Sequence, residues 1–313
     1  MRLGCFTDPH NADIAPRRRR ESYTQDILDK QAFLIEPFRK CDVVLCQGDI
    51  FHEKKAHKIS HKLVNSIMEI YREYPKMYIV VGNHDIDGRM DWKDRPLGTI
   101  GKLPNVEVLH GSIDVVDGVR FLFWGGGDLF SKEDTVEWLD AARKWKTDEE
   151  YEFTVAVMHS SVVGSAEWIP YMTVPFKEIS KYASLFVLGH IHDYTSCTSR
   201  IIAPGSLSRG VLTLDEKVDR KIYYGIVEIS GDSVVSKELI DVPHKSVEEV
   251  FKMDVKKAEV KQELAVESFK SVIEDLGGLG TMDRASTIKH IHSLEDIPVE
   301  VRNKAVNILE VLI

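Results

Sequence analysis

The chain has 313 residues, 43% of them hydrophobic, with 41 Lys and Arg against 50 Asp and Glu and a formal net charge of −9 at pH 7. That is enough apolar material for one large core and a smaller appendage. The acidic balance argues against an overall basic DNA-binding protein, leaving room only for local basic patches or metal-mediated phosphate binding, and no apolar run approaches the ~20 residues of a membrane span.

The first residues, MRLGCFTD, run straight into a strand pattern, so no signal peptide is expected. Strands are predicted over residues 3–7, 42–46 and 77–81, with helices over 24–38 and 57–71 between them. This βαβαβ start implies a parallel or mixed sheet with helical cover. From Val106 the texture changes to VEVL, IDVV and VRFLFW, short strands separated by Gly-containing turns. A helix over 131–145 follows, then FTVAVM, SLFVL, a segment around 197–202, and the pair KIYYGIVEI and SVVSKELI joined at Gly231-Asp232. Two β layers with helices outside are inferred. Near Pro243 strand signals stop, which divides the chain into residues 1–243 and a helical C-terminal region, 244–313, with helices expected over 259–276 and 298–313. In the last, Val301, Ala305, Ile308 and Leu312 share one face. Cys5, Cys41, Cys46 and Cys197 form no CxxC pair. Two of them lie in apparent core strands, which points to buried thiols in a reducing, cytoplasmic compartment.

Five short blocks place hard-metal and imidazole ligands directly after apolar runs. They are Asp8-Pro9-His10, Gly48-Asp49, Gly82-Asn83-His84-Asp85, His159, and Gly189-His190-Ile191-His192. Strand ends are where open α/β sheets build their sites. One such block would be an ordinary turn residue or a satisfied histidine. Five in order fit a two-metal phosphoesterase site, which needs two cations ~4 Å apart and about eight ligands. Asp8 and His10, two apart, can both face one ion. Asp49 is the natural bridging carboxylate, and Gly48 lets the backbone before it turn tightly. Asn83 offers a neutral amide oxygen. Mixed N and O donors suit Mn²⁺, Fe²⁺ or Zn²⁺ better than Ca²⁺ or Mg²⁺.

The order D-x-H, GD, GNHD, H, GHxH, spread over residues 8–192, resembles the signature of calcineurin-like metallophosphoesterases. The resemblance implies an α/β fold, a four-layer α-β-β-α sandwich with a dinuclear site at one edge. It assigns Asp8, His10, Asp49 and His192 to a first divalent metal ion and Asp49, Asn83, His159 and His190 to a second, with Mn²⁺ the favoured pair. It gives His84 the role of proton donor to the leaving group, and Asp85 could hold His84 oriented and cationic. Two cations would lower the pKa of a water enough to make it a nucleophile near neutral pH.

Three features narrow the phosphoester. Gly48-Asp49-Ile50-Phe51-His52 resembles a stretch of the SbcD-type DNA repair nucleases, including phage recombination nucleases, in which a histidine at the position of His52 helps place the DNA strand. Ala203-Pro204-Gly205-Ser206-Leu207-Ser208-Arg209 resembles their PGS-x-x-R stretch. Pro16 is followed by Arg17, Arg18, Arg19 and Arg20, which on a loop beside a phosphate site could grip a nucleic-acid backbone. The implied protein is a Mn²⁺-dependent DNA exonuclease, also a single-strand endonuclease, that forms a homodimer and works with an SbcC-like coiled-coil ATPase. The last helix is then either packed on the parent domain or docked on that ATPase. A small-molecule or cyclic-nucleotide phosphodiesterase is the alternative, and a catalytically silent scaffold a third, which the complete ligand set opposes.

Other candidates read as structural. His57 and His61, at i, i+4, read as one polar helix face. His290-Ile291-His292 mimics the fifth block but lacks its Gly and its strand. The segment 121–124 reads as core strand, and Gly125-Gly126-Gly127 as a tight turn with no Lys-Ser/Thr of a phosphate loop behind it.

Overall fold

In the computed structural model the described residues are 1–16, 19–20, 22–87, 91–163, 173–209 and 220–252. The chain divides into two compact units, Met1–Val250 and Phe251–Ile313. The helices expected over 259–276 and 298–313, and His290 and His292, lie outside the described residues.

The first unit opens with β1 (Arg2–Phe6), α1 (Tyr23–Phe33), α2 (Ile35–Phe38), β2 (Val43–Cys46), α3 (His61–Tyr71), β3 (Lys76–Val80), α4 (Pro96–Ile100), β4 (Val106–Leu109), β5 (Ser112–Val116) and β6 (Val119–Trp124). It continues through α5 (Lys132–Lys144), β7 (Phe153–His159), β8 (Val162–Val163), β9 (Val174–Pro175), α6 (Phe176–Ile179) and β10 (Leu185–Gly189). The last elements are β11 (Ser196–Cys197), β12 (Ile201–Ala203), β13 (Tyr223–Ser230), β14 (Ser233–Asp241) and α7 (Val247–Val250). One sheet has the order β14-β13-β1-β2-β3-β4 and the other β11-β12-β10-β7-β6-β5. Within them β1 through β4, and separately β6, β7, β10 and β12, run parallel.

Strict alternation along the parallel strands builds the layers. In β2, Val43 and Leu45 face the second sheet and meet Phe121, Phe123, Val155, Val157 and Val187 in the central core. Val44 and Cys46 face the other way and pack with Phe38, Leu63, Ile67, Tyr71 and Leu97 from the helices. On the far side Leu122, Ala156, Met158 and Phe186 meet Leu139 and Ala142 of α5 and Ile179 of α6. Both faces of the inner parallel strands β1, β2, β7 and β10 are therefore buried, which is why these strands read as continuous apolar runs, while the edge strand β4 keeps Glu107 exposed. The result is the expected α-β-β-α sandwich.

Two helices differ from the sequence expectation. The helix expected over 24–38 is broken at Leu34 into α1 and α2. The helix expected from residue 57 begins at His61, after a separate 3₁₀ turn over Ala56–Lys58. Ser60 is its cap: the hydroxyl accepts from the Leu63 N–H at 3.1 Å, and its own N–H donates to Asp13. His57 and His61 thus lie on different elements and share no helix face. All four cysteines are free thiols. Among the described residues no helix is long and apolar enough to cross a membrane.

Candidate metal centre

All five motifs sit at the C-terminal ends of neighbouring parallel strands. Asp8 and His10 follow β1, Asp49 follows β2, Asn83 to Asp85 follow β3, His159 ends β7, and His190 and His192 follow β10. The chain must turn sharply at each of these ends. Asp8, His10, Asp49 and His190 adopt φ of 50°, 46°, 52° and 85°, a left-handed conformation rare for residues with a Cβ. Such strain persists where surrounding structure fixes it, and it clusters at functional sites. A brace is visible for Asp8: its carbonyl accepts from the Ser206 hydroxyl at 2.8 Å and the Ser208 N–H at 3.3 Å. The Pro-Gly-Ser stretch is thus the strut behind the first motif. Two glycines allow the strand ends to close up. A Cβ on Gly82 would lie 2.1 Å from the Asp49 Oδ1 oxygen, and one on Gly48, at φ +90°, 2.8 Å from the Gly82 nitrogen and from His159 Nδ1.

The side chains converge in two groups that share Asp49. In the first, His10 Nε2 lies 3.8 Å from Asp8 Oδ1, 3.5 Å from Asp49 Oδ2 and 2.9 Å from His192 Nε2. In the second, His159 Nε2 lies 3.5 Å from Asp49 Oδ1, 3.0 Å from Asn83 Oδ1 and 3.2 Å from His190 Nδ1. Asp49 therefore turns one oxygen to each group, as a bridging carboxylate must. Donors bound at about 2.1 Å to one octahedral ion stand about 3 Å apart, and the spacings found here run from 2.9 to 3.8 Å.

The charge pattern also fits cations. Burial, with Asp8 and Asp85 nearby, pushes Asp49 well above the ordinary carboxylate range. Burial would raise Asp8 too, but His159 and His192, with hydrogen bonds from Thr7 and the His190 N–H, hold it below its usual value. Burial drives His159 down to about 3 and His10 well below its usual value. Two buried carboxylates beside buried imidazoles form a donor set whose mutual compensation divalent ions would supply. Asp8 Oδ1 and His10 Nδ1 are buried and have no hydrogen-bond partner.

His84 stands beside the first group, its ring 4.8 Å from that of His10 and 5.8 Å from that of His52, with the last pair stacked. Its backbone N–H donates to Asp49 Oδ1 at 2.8 Å. The expectation that Asp85 orients His84 is corrected. The His84 Nδ1 bonds the carbonyl of His52 at 2.6 Å, while the Asp85 carboxylate accepts from the Gly82 N–H at 2.9 Å and the Phe51 N–H at 3.3 Å. Asp85 ties two strand ends together, and burial pushes it up to about 7. Burial takes His84 down to about 4, so it is not held cationic in the metal-free chain.

The arginine expectation is also corrected where the structure describes it. Arg19 is buried, 3.3 Å from Asp26 and with its guanidinium 4.9 Å from the Tyr23 ring centroid. Arg209 is buried and donates to the carbonyls of Lys245 and Arg220. Long guanidiniums with acceptors close at hand fold inward, so neither presents itself to a nucleic acid. Arg20 is exposed and donates to the Glu248 carbonyl at 3.4 Å. Arg17 and Arg18 lie outside the described residues. Sequence reasoning missed Asp128, whose Oδ1 lies 2.8 Å from His190 Nε2. It also missed Arg220, which donates to the carbonyls of Ser206 at 2.9 Å and Ser208 at 2.5 Å and so supports the strut behind Asp8.

Residues 1–194 match the calcineurin-like phosphoesterases, and the chain belongs to that family. Its members are metal-dependent hydrolases that bind two divalent metal ions. Among solved structures, the chain is similar to a 5'-nucleotidase precursor from Thermus thermophilus, at 12% identity over 86% of this chain and 59% of that one, with a TM-score of 0.45. It is also similar to a hypothetical protein from the same organism, at 12% identity over 78% of this chain and 100% of that one, with a TM-score of 0.45. No curated protein matches.

Proposed function

We propose that the chain hydrolyses DNA phosphodiester bonds, as an exonuclease and a single-strand endonuclease, with two Mn²⁺ ions held by the two ligand groups. The observation that carries the reading is the pairing of His52 with His84. The Gly48-to-His52 stretch brings the His52 ring to 5.6 Å from His10 and stacks it on His84, and the His52 carbonyl fixes the His84 ring. The imidazole proposed to place the strand would thus lie against the proposed proton donor and share its backbone support.

Asp8, His10, Asp49 and His192 would hold one ion, and Asp49, Asn83, His159 and His190 the other. The ions would supply an activated water and charge neutralisation on the phosphoryl oxygens. His84 uses Nδ1 for the His52 carbonyl, so the proton offered to a leaving oxygen is the one on Nε2 of the imidazolium. Burial disfavours that cation, and the negative charge of a bound phosphodiester would favour it. The apolar stripe of the last predicted helix supports docking on an SbcC-like coiled-coil ATPase, with the nuclease as a homodimer in a cytoplasmic recombination and repair complex. The burial of Arg19 and Arg209 removes two expected phosphate grips, which favours the second reading, a small-molecule phosphodiesterase.

The test is degradation of end-labelled linear duplex DNA with Mn²⁺, Mg²⁺ or EDTA, run beside hydrolysis of bis-p-nitrophenyl phosphate. Mn²⁺-dependent DNA degradation that EDTA abolishes is the expected result. Hydrolysis of the small diester alone, unchanged on adding a candidate ATPase, would establish the second reading. His52→Ala should keep the small-diester rate and lose DNA cleavage, and equal loss on both would remove the strand-placing role.

A further inference from the structure

We propose that Asp128 is a positioning residue that fixes the tautomer of His190, keeping the proton on Nε2 and the lone pair on Nδ1 toward the second ligand group. The inference rests on the reading that Asp49, Asn83, His159 and His190 hold a cation. An imidazole that binds a metal through one nitrogen needs an acceptor on the other, and that partner sets both the tautomer and the ring direction. His159 has such a partner, since its Nδ1 bonds the Gln47 carbonyl while its Nε2 faces the group. For His190 the acceptor is a carboxylate: Asp128 Oδ1 lies 2.8 Å from Nε2, and Nδ1 points at His159 Nε2, 3.2 Å away.

The turn that carries Asp128 is fitted to this task. The Gly126 N–H donates to the Val81 carbonyl at 2.7 Å, fastening the turn to the end of β3. Gly126 and Gly127 adopt φ of 96° and 51°, and a Cβ on Gly127 would meet Asn83 Oδ1 at 2.6 Å and His190 Cε1 at 3.0 Å. Only a glycine lets the turn press against two candidate ligands and deliver the next side chain to the back of the ring. The Ser161 hydroxyl donates to the same Asp128 oxygen at 3.4 Å. His190 needs an external hold, because its φ of 85° leaves the backbone strained. The Asp128 side chain is 52% exposed, so its charge is partly screened and its main effect is orientation.

The experiment compares the full chain with Asp128→Asn, Asp128→Ala and His190→Ala, by Mn²⁺ titration calorimetry and by ¹⁵N NMR of the histidine rings in the metal-free protein. The expected result for Asp128→Ala is an unchanged first ion, a second ion weakened roughly 10- to 100-fold, and a His190 proton spread over both nitrogens. Asp128→Asn keeps an oxygen acceptor and should restore the single Nε2–H tautomer and part of the affinity. If Asp128→Ala binds the second ion as wild type does while His190→Ala loses it, the role of Asp128 is refuted. A weakened second ion with an unmoved tautomer would reduce Asp128 to a structural residue and also refute it. Two ions of wild-type affinity in His190→Ala would instead overturn the ligand assignment itself.

Discussion

His84 touches the backbone of the site more than its charges. Its N–H serves Asp49 and its Nδ1 serves the His52 carbonyl, so removing its side chain leaves the two ligand groups that share Asp49 intact, although His10, His52 and His84 also lie close enough together to hold an ion. His84→Ala should keep two bound Mn²⁺ and lose hydrolysis by at least about 100-fold, read by metal analysis beside a bis-p-nitrophenyl phosphate assay. Metal lost in parallel with activity would make His84 a ligand. The candidate ligands were legible in the sequence because each lies directly after an apolar run, Asp8 with His10 and His190 with His192 only two residues apart and His159 alone at the end of FTVAVM. What stayed hidden depends on residues far apart in the chain. Asp128 meets His190 only because the ends of β6 and β10 flank β7. Arg19 turns inward because α1 places Asp26 beside it. A run of arginines reveals charge but not direction.

At the scale of elements, strands were easier to read than helices. Burial on both faces made the parallel strands long apolar runs, so β2, β3 and β7 were visible directly. The helix from residue 131 was legible for a local reason. Ser131 and Asp134 form a reciprocal capping box, the Ser131 hydroxyl accepting from the Asp134 N–H at 3.1 Å and the Asp134 carboxylate from the Ser131 N–H at 2.8 Å. The late start at His61 depends on a tertiary partner, Asp13 at Ser60, which periodicity does not show, whereas the break at Leu34 precedes Pro37, which has no N–H to continue the helix. The strand-end glycines carry a sharper expectation. Gly48→Ala must either leave φ +90° or force its methyl between Gly82 and His159. It should cost on the order of 3 kcal/mol in urea unfolding and weaken metal binding. A stability change below about 0.5 kcal/mol, the size usual for surface substitutions, would mean that the strand ends have room to part.

For the whole molecule, metal, protons and stability are linked. In the metal-free chain burial, with Asp8 and Asp85 nearby, raises the pKa of Asp49, so it keeps its proton to a higher pH than an ordinary carboxylate does. Its contribution to stability is complete below the ordinary carboxylate pKa and is lost as pH rises through the raised value. A cation competes with that proton, so binding should release protons, and the gain in Tm caused by Mn²⁺ should grow as pH rises. Calorimetry in buffers of different ionisation enthalpy counts the protons, and a Tm gain that shrinks with rising pH would contradict this linkage. The central claim, one carboxylate shared by two ions, is tested most directly by counting metal. Wild type and Asp49→Ala would be loaded with Mn²⁺, desalted and analysed by mass spectrometry for ions per chain, with circular dichroism to check folding. The account predicts two ions in wild type and none retained by a folded Asp49→Ala. A single ion in wild type, or two ions retained without Asp49, would contradict it.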